Sequence, residues 1–166
     1  MKTRSLAIAA AFALTCALAA STVQPAWAVS PHFVSASASI TNAGNLTVNF
    51  QESGLGNFST VFIQASADES DTWGCLNHGN NHPQGLDTNT APVTSPSTQF
   101  TVGHNGTVKG SVTITHQASP PPTFSCPAAN MTVVLVAVSY TDVTVTDSTS
   151  GQSINVSGTF TKTFFK

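Results

Sequence analysis

Apolar residues recur at every second position through most of this chain, and that period restricts it to β structure. Leu46, Val48 and Phe50 alternate with Thr47 and Asn49. Val61, Ile63 and Ala65 stand opposite Thr60, Phe62 and Gln64. Val108, Val112 and Ile114 repeat the pattern, with Gly110 in step as a bulge or a point of close approach. Met131 to Tyr140 is almost wholly apolar and reads as a central strand covered on both faces, with Val143 and Val145 beginning another short one. Ile154, Val156, Gly158 and Phe160 mark a last strand. Lys, Glu and Arg, which usually clothe helices, are scarce, so no helix is expected in this part of the chain.

Turn signals punctuate these runs at Asn42-Ala43-Gly44, Gly54-Leu55-Gly56-Asn57, His104-Asn105-Gly106 and Ser148-Thr149-Ser150-Gly151. Short strands at this spacing predict an all-β fold, an antiparallel immunoglobulin-like sandwich of about 7–9 strands. Two segments break the rhythm. Residues 77–97 lack alternation and are rich in Asn, Gly, Pro and Thr, which reads as a long connection of the kind that carries function. Ser119-Pro120-Pro121-Pro122 reads as a stiff extended stretch leading to Cys126.

The N-terminus has a different character. Met1-Lys2-Thr3-Arg4 is basic, Ser5 to Ala20 carries no charge, and Ala26-Trp27-Ala28 offers small residues where a signal peptidase cleaves. Residues 1–28 are therefore expected to be a secretory signal peptide, and 29–166 a single secreted, extracellular β-sandwich domain. The apolar run falls short of the ~20 residues a membrane span needs. After the signal, the chain keeps three lysines and seven acids, a formal charge of −4, and no arginine. A cationic footprint for nucleic acid or for an anionic membrane is absent, so neither is an expected partner. Cys75 and Cys126 remain, and in an oxidising compartment an isolated pair predicts one disulfide.

The most distinctive stretch is Trp73-Gly74-Cys75-Leu76-Asn77-His78-Gly79-Asn80-Asn81-His82-Pro83. An aromatic face with nearby amides suits sugar recognition: the ring stacks on C–H faces while amides pair with hydroxyls. Trp73, His78, Asn80, Asn81 and His82 are the candidate ligand-binding residues, with carbohydrate or a cell-wall surface as the partner. Set against this, a Trp beside a cysteine in a β-sandwich commonly belongs to the core. His78 and His82 carry no metal-ligand meaning by spacing, because Gly79 and Pro83 preclude a helix; a site would need a third ligand from His32, His104 or His116. Asp68-Glu69-Ser70-Asp71 reads as a solvated acidic turn, since the spacing of a calcium loop is missing. Neither a nucleophile elbow nor an evident carboxylate pair is present, so no enzyme activity, catalytic residue or cofactor is expected. Five Asn-x-Ser/Thr triplets begin at Asn45, Asn57, Asn105, Asn130 and Asn155, and would matter only in a host that glycosylates them.

The pattern Trp73-x-Cys75-x-Asn77-x-Gly79-x-Asn81-x-Pro83, with Phe100 to Gly110 and Ser139-Tyr140-Thr141-Asp142-Val143, resembles a group of small secreted actinomycete proteins of unassigned activity. That resemblance implies an exported β-sandwich and no ligand. The low-charge Ser/Thr/Gly/Val composition is more loosely similar to the neocarzinostatin-type apoproteins, which hold a small molecule in an immunoglobulin-like fold; this chain departs from them in having one cysteine pair rather than two. Three readings follow. The first is a non-enzymatic carbohydrate-binding domain, for which Trp73 should be exposed. The second is a structural or protein-interaction module (coat component, adhesin or inhibitor), for which Trp73 should be buried and a strand edge left open. The third is a histidine metal site, for which three histidine or carboxylate side chains should lie within coordination reach.

Overall fold

The computed structural model describes residues 30–165, apart from 78, 80–82, 117 and 118. The expected signal segment 1–28 lies outside the described residues. Nine strands form: β1 (His32–Ile40), β2 (Leu46–Ser53), β3 (Thr60–Asn77), β4 (Gln84–Thr94), β5 (Thr98–Thr101), β6 (Val108–Ile114), β7 (Met131–Asp147), β8 (Gln152–Val156) and β9 (Phe160–Thr163). Among the described residues there is no helix, and thus none long and apolar enough to cross a membrane.

All pairings are antiparallel. One sheet has the order β1-β2-β6 and the other β4-β3-β7-β8, with β5 also on β3 and β9 also on β7. The chain crosses between sheets after β2, after β5 and after β6, so that the two sheets form a β-sandwich. The core fills the space between the sheets. Leu46, Val48 and Phe50 enter it from β2, Val61, Ile63 and Ala65 from β3, Val112 and Ile114 from β6, and Val138, Val143 and Val145 from β7. These are the alternating residues the period predicts. Gly110 is a close approach, because the Phe100 ring occupies the space a Cβ would take.

Three sequence expectations change in the folded chain. The last strand expected through Ile154, Val156, Gly158 and Phe160 is in fact two, β8 and β9, parted at the positive-φ Gly158 and both paired with β7. Met131–Tyr140 and Val143–Val145 are one 17-residue strand rather than two. Its pairing with β3 slips between Ser66/Asp68 and Thr144/Thr141, and Asp142 sits at φ 51°. The extra residue keeps Val138, Tyr140, Val143 and Val145 all facing the core despite the odd spacing. The expected long connection at 77–97 is largely strand β4, lying along the edge of the larger sheet. It shows no alternation because ten of its eleven residues are exposed, so neither side selects for apolar residues.

Cys75 and Cys126 form the predicted disulfide, with Cα atoms 5.6 Å apart. It ties the far end of β3 to the segment between β6 and β7.

Candidate functional site

β3 decides where the chemistry lies. Its inward row runs Val61, Ile63, Ala65, Ala67, Glu69, Asp71, Trp73 and Cys75, all buried. The period that carries apolar residues into the core thus carries two carboxylates there as well. The acidic stretch Asp68-Glu69-Ser70-Asp71 is no solvated turn; it is the middle of β3, with Asp68 and Ser70 turned outward. Four of the chain's seven acids are buried, namely Glu52, Glu69, Asp71 and Asp147. Burying a carboxylate costs several kcal/mol unless something neutralises or binds it.

His116, just past the end of β6, meets the pair on β3. Its Nδ1 lies 2.5 Å from Glu69 Oε1 and 3.5 Å from Asp71 Oδ1. The backbone N–H of His116 donates to Asn45 Oδ1 at 3.0 Å, which holds the residue against the β1–β2 turn. Tyr140, opposite Glu69 across the β3–β7 ladder, donates its hydroxyl to the Gly44 carbonyl at 2.8 Å. Gly44 itself has φ +86°, a conformation the turn requires and that glycine adopts without strain.

The electrostatics are lopsided. Burial raises Asp71 to about 6; the facing His116 pulls it down and the Glu69 charge pushes it up again. Burial, with the neighbouring Glu69 and Asp71 charges, drives the Tyr140 phenol well above its ordinary value, so it stays protonated. Glu69 Oε2, Asp71 Oδ1 and His116 Nε2 are buried with no hydrogen-bond partner among the described residues. Glu69, Asp71 and His116 each offer one ligand atom, and the three atoms lie within 4.8 Å of one another.

A second buried pair lies where β2 and β7 end. Asp147 accepts the backbone N–H of Thr149 at 2.8 Å and of Ser150 at 3.3 Å, while the Ser150 hydroxyl donates to Glu52 Oε1 at 3.0 Å. Burial raises Glu52 to about 7; the Ser150 hydrogen bond lowers it, the Asp147 neighbour raises it and His32 lowers it slightly. No imidazole touches this pair among the described residues, and its ligands are turn backbone and a hydroxyl.

Of the ligand-binding residues expected from sequence, the structure describes Trp73. Trp73 is buried, 5% exposed, so its ring is not offered to a ligand. His78, Asn80, Asn81 and His82 lie outside the described residues. His32 and His104 are exposed and apart from the cluster, with His32 Nδ1 bonded to the Ser30 carbonyl. Of the described histidines, His116 alone meets carboxylates. Glu69 and Asp71 were legible in one respect: they continue the parity of Val61, Ile63 and Ala65 without a break. An open trough lined by Thr141–Thr144 and Asn155–Thr159 marks the β7 bulge, with Asp142 its one charged group. The chain matches no known protein family, no curated protein and no solved structure.

Proposed function

We propose that the chain is an exported, non-enzymatic interaction module that takes a partner strand along β4. The observation that carries this reading is the edge itself: an eleven-residue outer strand, exposed at every residue but Val93, with Asp87 as its one charge. Natural sheets usually blunt such edges with lysines, prolines or bulges. Here Pro92 and the positive-φ Gly85 interrupt the two ends, and Leu86 to Ala91 runs between them. Leu86 is 60% exposed and sits with Pro83 and Val136 over Gly74, which adds an apolar spot beside the edge. The buried Trp73 fits this module and does not fit a sugar-stacking ring.

A second copy is the first partner to try, because a strand this poor in charge meets little like-charge repulsion when it pairs with itself. Sedimentation velocity of the oxidised protein over a range of concentrations should show a dimer, with β4 amides slow to exchange. Thr90→Lys, placing a charge on the edge, should return the protein to monomers with unchanged far-ultraviolet dichroism. A wild-type protein that stays monomeric, with freely exchanging β4 amides, would remove self-pairing and leave only heterologous strands to test.

A further inference from the structure

We propose that Glu69, Asp71 and His116 form a binding site for one divalent first-row transition cation. This is independent of the strand edge and goes beyond it. Two carboxylates stand side by side on the inward row of β3, and among the described residues the one group that forms an ion pair with either is His116. The side chains of Glu69 and His116 are 4% and 6% exposed, so water screens neither. One imidazole carries at most one positive charge against two carboxylates. A dication balances both.

Geometry points the same way. The ligand atoms come from two separate segments and converge within 4.8 Å. Around a zinc-sized ion, ligands at ~2.0–2.2 Å stand about 3.3 Å from each other. The His116 Nδ1 to Asp71 Oδ1 distance of 3.5 Å already suits that. The 2.5 Å contact between Nδ1 and Glu69 Oε1 does not, and it would open as the cation takes the place of the proton between them, which leaves to solvent. Glu69 Oε2 and Asp71 Oδ1 are buried without hydrogen-bond partners, so each acid keeps unspent acceptor capacity beside His116. The Asn45 bond to the His116 backbone fixes the residue from behind.

The donor set selects the class of ion. One imidazole nitrogen with two carboxylate oxygens suits Zn²⁺, Mn²⁺ or their neighbours; Ca²⁺ asks for six to eight oxygens and Mg²⁺ for an octahedron rich in water. A water, or the second oxygen of Glu69, would complete four-fold coordination.

The test uses the oxidised protein, stripped with chelator, reloaded with Zn²⁺ and dialysed, with metal counted per chain. One Zn²⁺ per chain is expected, and Co²⁺ in its place should give the intense visible absorption of a four- or five-coordinate site. Asp71→Asn and His116→Gln should each weaken Zn²⁺ by well over about 100-fold, beyond the ~10–100-fold that the loss of an outer contact gives. Glu52→Gln and the double variant His78→Ala/His82→Ala should bind as the wild type does. No Zn²⁺ retained by the wild type overturns the proposal, as does uptake lost only in the His78/His82 variant or unchanged in both ligand variants. If a ligand variant fails to fold, the wild-type Co²⁺ spectrum decides: the weak bands of the hydrated ion overturn the site.

Discussion

The sandwich buries two acid clusters and resolves the cost of each differently. At the end of β7, Asp147 is held by two backbone N–H groups of the turn that follows, and Glu52 by the Ser150 hydroxyl. The turn is built around the charge, so the pair reads as a fastening between sheets. In the middle of β3, Glu69 and Asp71 have no turn to serve them. They have one imidazole, with an unpartnered buried oxygen on each acid, whereas at the other pair only Glu52 Oε2 is buried without a partner among the described residues. Backbone donors are local and come with the fold, whereas an imidazole from another segment must be brought in. The difference separates acids that hold the structure from acids that are free to hold something else.

Removing the disulfide should strain this contrast most. Changing Cys75 and Cys126 to serine opens a loop spanning a sequence separation of 51 and should cost about 4 kcal/mol. Amide exchange should rise along Asp71–Asn77, next to the metal-type cluster, and far less beside Glu52; equal loosening at both ends would break the comparison. Asp147→Ala should cost about 3 kcal/mol in urea unfolding, since two backbone donors lose a charged acceptor. A loss below about 1 kcal/mol would show that the turn does not depend on that carboxylate.

Acidity sharpens the contrast further. Glu52 is raised from 4.5 to about 7, so the folded state holds a proton that the unfolded chain has released. The stability this contributes is complete below about 4.5 and is lost as pH rises through about 7. Thermal unfolding of chelator-treated protein should therefore show Tm falling between about pH 5 and 7. Glu52→Gln should reduce that slope to the part that Asp71, raised from 3.8 to about 6, contributes with the same sign. A Tm that rises across the same range, or a slope that Glu52→Gln leaves intact, would mean the carboxyl is ionised in the folded state. The smallest effect is expected from Tyr140→Phe, which removes the hydroxyl bond to the Gly44 carbonyl and should cost about 1 kcal/mol. It should leave Zn²⁺ stoichiometry unchanged, because Tyr140 walls the cluster without supplying a ligand.

How much was legible from the sequence varies with burial. Strands with one face in the core announce themselves, as Leu46-Val48-Phe50 and Val61-Ile63-Ala65 do, because the core accepts only apolar residues at alternate positions. β4 is silent because it has no buried face. Glu69 and Asp71 mislead for a related reason. Four polar residues in a row ordinarily mean solvent, and only the unbroken parity from Val61 onward hinted that two of them point inward.

Sequence by itself determined the strand class, most of the turns, the cysteine pairing and the absence of a cationic surface, all of which depend on local periodicity or on counting. What only the tertiary structure decided was which groups meet. His116 and Glu69 are 47 residues apart, and Tyr140 and Gly44 are 96 apart. A side chain's partners across two sheets depend on register, bulge and crossover, and a single residue of slip exchanges its inward and outward faces. The extra residue at the β7 bulge brings both Tyr140 and Val143 to the core face, a matter of backbone geometry that no residue count along the chain reveals.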